Sequence, residues 1–249
     1  MTEQQRVYIV TGGGAGIGEA AVSRLAVGGA VVVIADVDET GGARVAAEVA
    51  ARGGRAAFTR VDVGNEADTV AMVRFAVESY GRLDGAVNNA GIGQPIARLH
   101  EVSVDTWDQL HSVDLRGVWL CMKAEIAYFL TVGGGAIVNT ASVAAFRPVP
   151  GQGVYTAAKH GVVGLTRQAA IEYVKDRIRV NAVAPGLVGT PQFRSYPEDA
   201  QAMYTAIQPG GRAAEPLEIA NAMAWLLSDE ASFVSGATLL VDAAAMQQL

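Results

Sequence analysis

The sequence predicts an α/β fold, with one doubly wound domain around a mostly parallel sheet of about seven strands. Three observations support this prediction. Short apolar runs alternate with longer amphipathic helical patterns from the first residues onward. Some runs, such as residues 30–35, are apolar throughout, as expected of parallel strands covered by helices on both faces. The 249 residues are 51% hydrophobic and contain no linker or low-complexity segment, so residues 1–249 are predicted to form a single domain.

Each element follows from its local pattern of apolar residues. Strands are predicted at residues 7–10, 30–35, 56–61, 85–87, 136–139, 179–183 and 238–241. Helices are predicted at residues 16–27, from the end of the second strand to about 52, and at 66–80, 113–131 and 154–175. Because strands and helices alternate along the chain, the connections should be right-handed crossovers of a parallel sheet.

The composition excludes several classes of protein. The net charge of −6 is spread along the chain, whereas nucleic-acid-binding proteins usually carry a basic stripe. No apolar run approaches the ~18–20 residues that span a bilayer, and the N-terminus lacks the pattern of a secretory signal. The single cysteine, Cys121, cannot form an internal disulfide and fits a reducing compartment. We therefore expect a cytoplasmic protein without a nucleic-acid or membrane partner.

No metal site is predicted. His100, His111 and His160 share no close metal-ligand spacing with one another or with Cys121. These histidines are interpreted as surface or packing residues.

A glycine-rich turn joins the first strand to the first helix. Residues 11–18 read Thr-Gly-Gly-Gly-Ala-Gly-Ile-Gly. In this position Gly12 permits the tight turn, Gly16 lets the backbone approach a pyrophosphate, and Gly18 allows the helix to pack closely on the strand. The free N–H groups at the helix start favour a bound anion. Glycine clusters also form plain flexible turns, but the strand–helix context favours a dinucleotide site.

The second predicted strand ends at Asp36, eighteen positions beyond Gly18. A carboxylate there can accept hydrogen bonds from the adenosine ribose hydroxyls and would repel a 2′-phosphate. No basic residue lies in the glycine turn, and Val37 follows the acid. The sequence therefore favours NAD over NADP, although Asp36 could also be a solvated carboxylate at a strand end.

Tyr155 and Lys159 lie four residues apart near the start of a long predicted helix, so their side chains share one face. A free tyrosine is a poor base at neutral pH, but a nearby ammonium and an oxidised nicotinamide would stabilise its phenolate. Tyr155 could then take the proton of an alcohol and return it to a ketone. Ser142, just after the strand at 136–139, can donate to the developing alkoxide or carbonyl oxygen. Taken singly, such residues are more often packing or turn residues.

In combination, these motifs resemble the short-chain dehydrogenase/reductase family over nearly the full length. The resemblance implies a Rossmann-like fold, a catalytic Ser142, Tyr155 and Lys159, and commonly a homotetramer. It also implies that Lys159 hydrogen-bonds the nicotinamide ribose and that Thr190 binds the carboxamide. The implied cofactor-binding residues are Gly12, Gly14, Ala15, Gly16, Ile17, Gly18, Asp36, Val37, Asp62, Val63, Asn89, Ala90, Gly91, Tyr155, Lys159, Pro185, Gly186, Val188 and Thr190.

The chain departs from the family pattern at two places. Asp114 stands where the family usually has Asn, whose backbone carbonyl holds a water of a proton relay. A backbone role survives the substitution, so Asp114 remains a candidate catalytic residue. Its carboxylate could instead pair with Lys159 and weaken the effect of that lysine on Tyr155, or could itself be protonated. The second departure is Ala-Ala-Ala at residues 243–245 in place of the more usual glycines.

Residues 187–211 break the strand–helix rhythm, and the resemblance implies that they form a substrate lid. Gln94, Val143, Gln152 and Leu187 are predicted to line the substrate pocket. The expected walls are mostly apolar, which favours a hydrophobic or cyclic substrate.

The function predicted from these residues is reversible, NAD-linked oxidation of a secondary alcohol to a ketone. One alternative is an NADPH-type ketoreductase of acyl or polyketide intermediates, which Asp36 disfavours. A second is a catalytically silent NAD-binding scaffold or sensor, which the intact Ser142, Tyr155 and Lys159 disfavour. A sugar-nucleotide epimerase would usually need a longer chain.

Overall fold

A computed structural model describes residues 5–247. Its strands form one sheet of seven strands in the order β3-β2-β1-β4-β5-β6-β7, and every neighbouring pair is parallel. The strands are β1 (Val7–Thr11), β2 (Val31–Asp36), β3 (Arg55–Arg60), β4 (Gly85–Asn88), β5 (Gly135–Thr140), β6 (Ile178–Pro185) and β7 (Thr238–Val241). The predicted doubly wound parallel sheet is confirmed.

Helices cover both faces of the sheet. They are α1 (Gly16–Val27), α2 (Glu39–Ala51), α3 (Glu66–Tyr80), α4 (Val104–His111), α5 (Val118–Val132), α6 (Gly153–Tyr173), α7 (Pro191–Arg194), α8 (Glu198–Ala206) and α9 (Pro216–Leu227). None of the helices between residues 5 and 247 is long and apolar enough to cross a membrane.

Side chains of each central strand alternate between two hydrophobic cores, as the pleat of a strand requires. Ile9 of β1 and Val33 of β2 pack with residues of α3, α5 and α6 on one face. Val10 and Val32 pack with residues of α1, α2 and α9 on the other. Both faces are thus buried, which explains why these strands are apolar without interruption.

The helix predicted at 113–131 is longer and less regular than expected. The chain is helical from Val104 to Val132, with a π-helical turn at Ser112–Gly117 between α4 and α5. The helix begins early because the Ser103 side chain caps it by accepting the backbone N–H of Thr106. Val104, Trp107 and Leu110 of α4 recur at helical spacing, but eight residues are a short window in which to recognise this pattern.

The remaining differences lie near the ends of elements. Helix α6 ends at Tyr173, and residues 174–176 form a single 3₁₀ turn instead of its last residues. Helix α9, for which the prediction gave no bounds, starts at Pro216 with a reciprocal cap between Glu215 and Glu218.

The strand order reverses direction between β1 and β4, which opens a crevice at the carboxyl ends of these strands. Ligands of open α/β sheets bind at such a point. The glycine turn follows β1, and residues 89–91 follow β4, so both border the crevice.

Candidate active site

The glycine turn forms one wall of a cavity of about 370 Å³ at the crevice. Gly12 has φ +63°, and a Cβ added to it would lie 2.9 Å from the Cα of Ala90. A Cβ on Gly18 would lie only 1.9 Å from the carbonyl oxygen of Gly12, so this position requires glycine for close packing of α1. These contacts agree with the separate roles expected of the two glycines.

Helix α1 starts without a side-chain cap, because its N-cap residue is Ala15. The N–H groups of its first turn have no intrahelical partner, as in every helix, and here they also lack a side-chain acceptor. Ala15, Gly16 and Ile17 line the cavity. Uncapped N–H groups at the positive end of a helix form an anion site. This arrangement fits the pyrophosphate of a dinucleotide.

Asp36 is held in place at the end of β2. One of its carboxylate oxygens accepts the backbone N–H of Gly14 at 2.9 Å, and the other accepts that of Asp38 at 3.0 Å. Asp36 also lines the cavity, and each carboxylate oxygen can accept a further hydrogen bond. Gly14 does not line the cavity, but through this bond it fixes Asp36.

Sequence reasoning missed Arg44, a basic residue of α2 that contacts the glycine turn. Its guanidinium donates to the carbonyl oxygen of Gly14 at 3.0 Å and pairs with Glu19 at 2.7 Å and Glu48 at 2.8 Å. Two carboxylates thus neutralise the cation next to the cavity. Arg44 lies outside the glycine motif, and its partners became visible only in three dimensions.

The loop after β4 is tied to the end of β1. The Thr11 hydroxyl accepts the backbone N–H groups of Asn89 at 3.0 Å and Ala90 at 3.1 Å. The Asn89 side chain in turn donates to the carbonyl oxygens of Thr11 and Gly12. These bonds keep the crevice at a fixed width.

Lys159 and Asp114 form a buried ion pair at the base of a second cavity. Lys159 Nζ lies 3.2 Å from Asp114 Oδ2 and also donates to the carbonyl oxygen of Thr140 at 3.2 Å. Burial would lower the pKa of Lys159, but the adjacent Asp114 and Tyr155 raise it above its usual value. The lysine is therefore a cation whose charge is largely balanced by Asp114.

Asp114 belongs to the π-helical turn Ser112–Gly117, a distortion that is frequent at functional sites. Its other carboxylate oxygen accepts the backbone N–H of Ile92 at 2.8 Å. Of the alternatives that the sequence left open for Asp114, the structure shows direct pairing with Lys159. The Asp114 carboxylate therefore connects Ile92, in the loop after β4, with Lys159 on α6. Its role is thus not confined to the backbone carbonyl.

Tyr155 and Ser142 face the same cavity, which has a volume of about 440 Å³. Lys159 Nζ lies 5.5 Å from the centroid of the Tyr155 ring. The Ser142 hydroxyl oxygen accepts the backbone N–H of Ala144 at 3.1 Å, so its own hydrogen is left to donate. A cation beside a phenol, with a free hydroxyl donor nearby, can stabilise negative charge on an oxygen bound between them.

Gln94 was predicted to line the substrate pocket, and its side chain also has hydrogen-bond partners of its own. It does line the second cavity, but it is buried and its amide is committed to the backbone. Its Oε1 accepts the N–H of Tyr155 at 2.9 Å, and its Nε2 donates to the carbonyl oxygen of Gly151 at 3.0 Å. Gln94 thus caps the start of α6, which has no cap from its own N-cap residue, Gln152. These two hydrogen bonds of the Gln94 side chain fix the position of Tyr155 at the start of α6.

The two cavities adjoin, and six residues line both. Val143, Gln152 and Leu187 line the second cavity as predicted. Every predicted cofactor-binding residue except Gly14 and Gly18 lines one cavity or the other. The residues common to both are Ile17, Asn89, Gly91, Ile92, Thr190 and Gln192.

Helices α7 and α8 form the outer wall of the second cavity. Thr190 caps α7 by accepting the N–H of Phe193 at 3.3 Å. Sequence reasoning did not single out Gln192, Tyr196 or Gln208, which line the second cavity. The helical pattern is too short in this segment to indicate which side chains face inward.

A buried polar network lies beside the site, between β4, β5 and α5. The Asn88 side chain donates to Glu125 at 3.0 Å and to Asn139 at 3.1 Å. Burial raises the pKa of Glu125 from 4.5 to about 8, although the bond from Asn88 acts in the opposite direction. Within the described residues, Glu125 Oε1 and Asn88 Oδ1 have no hydrogen-bond partner. Glu125 is therefore protonated at neutral pH, and its O–H is available as a donor.

Residues 5–247 contain no group of three or more His, Cys, Asp or Glu side chains that could hold a metal ion. The polar groups of the crevice include helix N–H groups, the carboxylates of Asp36 and Asp62, and the Tyr155–Lys159 pair. These groups fit the binding of a dinucleotide.

Comparison with known proteins supports this interpretation of the crevice. A family model described as enoyl-(acyl carrier protein) reductase matches residues 12–244. The chain is 47% identical over 241 residues to 2,5-dichloro-2,5-cyclohexadiene-1,4-diol dehydrogenase of Sphingobium indicum, covering 95% of both chains. It is 46% identical to cis-4-hydroxycyclohexanecarboxylate dehydrogenase of Sinomonas cyclohexanicum, with 96% and 95% covered. It is 41% identical to cyclohexanol dehydrogenase of an Acinetobacter species, with 96% and 94% covered.

Two solved structures are similar over almost the whole chain. The crystal structure of levodione reductase superimposes with a TM-score of 0.94 at 37% identity, covering 98% of each chain. That of 3-ketoacyl-(acyl-carrier-protein) reductase from Brucella melitensis, complexed with NADH, has a TM-score of 0.91 at 36% identity and covers 98% and 99%.

Proposed function

The chain belongs to the short-chain dehydrogenase/reductase family, and on this premise we propose that it interconverts a secondary ring alcohol and its ketone with NAD as cofactor. The chain is an oxidoreductase of this family. The choice of NAD, the ring alcohol as substrate and the roles of the catalytic residues are proposed. The observation that supports it best is the position of Lys159 Nζ, 5.5 Å from the ring centroid of Tyr155 in a cavity that Ser142 also lines.

In the proposed mechanism Lys159 and Thr190 would hold a bound nicotinamide, which would supply the hydride-transfer chemistry for the alcohol and the ketone. Tyr155 holds the proton that the substrate oxygen loses or gains. Ser142 donates a hydrogen bond to the same oxygen and stabilises its negative charge. Lys159 stabilises the phenolate of Tyr155 through its charge, and Gln94 and Asp114 hold the two residues in place.

The preference for NAD rests on charge around the adenosine end of the crevice. The Asp36 carboxylate would accept hydrogen bonds from the ribose hydroxyls and repel a 2′-phosphate. Arg44, the nearby cation, is already paired with Glu19 and Glu48 and is not free to bind a phosphate. Both observations favour NAD.

The proposed ring substrate rests on the relatives and on the cavity. Three relatives are named for alcohols of six-membered carbocycles. The cavity of about 440 Å³ has a mostly apolar wall, including Val143, Val149 and Phe193, and is large enough for such a ring. Residues 187–211 are proposed to close over it as the substrate lid.

The proposed assembly is a homotetramer. Ile171 and Val174, at the end of α6, are 75% and 52% exposed, and Phe233 beside β7 is fully exposed. Among the described strands, the outer edge of β7 is unpaired. Apolar side chains and an open sheet edge are features of a surface that another copy covers. Light scattering tests this directly, with a mass near four times 25.8 kDa expected.

The decisive experiment follows NADH absorbance with a panel of cyclohexanols and matching ketones. Wild type should turn over, whereas Tyr155→Phe should lose about a thousandfold in kcat because the proton donor is gone. Tyr173→Phe, on the same helix but outside both cavities, is the matched control and should keep its activity. Full activity of Tyr155→Phe would remove the proposed role, and NADH binding without turnover of any alcohol or ketone would favour a silent scaffold.

The cofactor proposal has its own test. Asp36→Ala should lower the ratio of kcat/KM for NAD to that for NADP by about tenfold or more, because the repulsion of the 2′-phosphate is lost. Asp38→Ala, which removes the cap of α2 but not the ribose contact, should leave the ratio unchanged. An unchanged ratio in Asp36→Ala contradicts the ribose contact.

A further inference from the structure

The substrate cavity is electrically neutral. Among the residues that line it, the only ones with a formal charge are Asp114 and Lys159. These two are buried and pair with each other at 3.2 Å. No cation along the described wall is therefore left to receive an anionic group of a substrate.

The wall nevertheless carries uncommitted polar groups. Three glutamines line the cavity besides the buried Gln94: Gln152, Gln192 and Gln208. Gln208 donates to the carbonyl oxygen of Tyr204 at 3.2 Å, whereas the amides of Gln152 and Gln192 hydrogen-bond no group among residues 5–247. An amide both donates and accepts, so it matches a hydroxyl or a carbonyl equally well.

The two uncommitted side-chain amides come from different segments of the cavity wall. Gln152 is the half-buried N-cap residue of α6, three positions before Tyr155. Gln192 lies on α7 and packs over Gly93, where an added Cβ would lie 2.3 Å from the Gln192 Nε2. The backbone of Gln152 is held more firmly than that of Gln192. Gln152 directly precedes a helix of 21 residues, whereas Gln192 lies in a helix of four.

Resting on the proposed oxidation of a ring alcohol, we propose that the preferred substrate is an uncharged ring carrying a second oxygen, as hydroxyl or carbonyl, which Gln152 binds. Ring alcohols with a carboxylate should be poor substrates, because a buried carboxylate without a cationic partner is strongly disfavoured. The named relatives include both kinds of alcohol, a diol and a hydroxycarboxylate, so membership of the group does not decide this.

The test compares kcat/KM for three ring alcohols of similar size: cis-cyclohexane-1,4-diol, cis-4-methylcyclohexanol and cis-4-hydroxycyclohexanecarboxylate. The diol should exceed the methyl compound by about tenfold, the value of one hydrogen bond. It should exceed the carboxylate by about a hundredfold or more. Equal values for the diol and methyl compound, or faster turnover of the carboxylate, overturn the proposal.

Variants of Gln152 assign the effect. Gln152→Leu should bring the ratio of diol to methyl compound close to one, and Gln152→Arg should raise kcat/KM for the carboxylate about tenfold. Gln168→Leu is the matched control, since Gln168 lies on the outer surface of the same helix and bonds Glu172. An unchanged diol ratio in Gln152→Leu overturns the role of Gln152.

The failure of this inference is distinct from failure of the proposed function. If none of the three alcohols is turned over, the ring-alcohol reaction itself is wrong. If all three are turned over at similar rates, the reaction stands and only the preference for a second neutral oxygen is refuted.

Discussion

Replacing Asp114 by Asn should move the pH profile of alcohol oxidation to lower pH. Lys159 Nζ lies 5.5 Å from the Tyr155 ring centroid, and Asp114 Oδ2 lies 3.2 Å from the same nitrogen. The ammonium stabilises a phenolate, and the carboxylate opposes it. Asn keeps an oxygen that can accept the Ile92 N–H but removes the negative charge.

The magnitude follows from these distances. At an effective dielectric constant of about 20, an ammonium 5.5 Å away stabilises the phenolate by about 3 kcal/mol. The carboxylate lies at most roughly 9 Å from the ring and cancels about 2 kcal/mol of this. Its removal should therefore shift the acidic limb of kcat/KM down by about one and a half pH units.

The basic limb should move in the same direction. Asp114 helps to raise the pKa of Lys159 against the effect of burial, so without it the lysine loses its proton at lower pH. The sign is thus downward for both limbs, because loss of the negative charge favours a negative charge on the bound oxygen and lowers the pKa of Lys159.

The assay is kcat/KM for a ring alcohol from pH 5 to 10 at saturating NAD, with wild type and Asp114→Asn measured side by side. NADH binding by fluorescence serves as the control for an intact cofactor site. Limbs that stay in place, or an acidic limb that moves upward, would refute the electrostatic role of Asp114.

Three further predictions concern Gln94, Glu125 and Gly18. Gln94→Leu leaves the Tyr155 N–H without a partner and should lower kcat about tenfold with NADH affinity unchanged; an equal loss of NADH affinity in fluorescence titrations would contradict this. Burial raises the pKa of Glu125 to about 8, so wild type loses stability as the pH rises from the ordinary Glu value to pH 8. In urea unfolding, Glu125→Gln should therefore gain on the order of 3 kcal/mol relative to wild type between pH 5 and 8. A difference in unfolding free energy that is the same at both pH values would refute the raised pKa. Gly18→Ala should destabilise the fold by about 3 kcal/mol and abolish NADH binding. Gly164→Ala, inside α6 where an added Cβ meets nothing within 4 Å, should keep or slightly raise the melting temperature; equal melting temperatures of the two variants would contradict the packing argument.

Local patterns account for the parts of the fold that were predicted. Ile9 and Val10 face opposite cores, and runs of such residues identify strands buried on both faces. The pair Tyr155 and Lys159 was visible because four residues along a helix bring two side chains to one face. Asp36 was visible because the strand that carries it ends there.

Contacts between distant segments account for what the sequence could not show. The bond from Gln94 to Tyr155 spans 61 positions, and that from Asp114 to Ile92 spans 22. Gln94 lines the cavity as predicted, but its hydrogen bonds to distant backbone groups could not be inferred from the sequence. The π-helical turn around Asp114 has no periodicity of its own to predict it, since it interrupts a continuous helix.

Gln192 and Thr190 border both cavities, and this shared wall has a thermodynamic consequence. A ligand that moves α7 when it occupies one cavity also changes the wall of the other, so the two binding equilibria are linked. Linkage is reciprocal: the factor by which cofactor tightens the alcohol must equal the factor by which the alcohol tightens the cofactor. The wall that borders both cavities therefore couples the affinity of the cofactor to that of the alcohol.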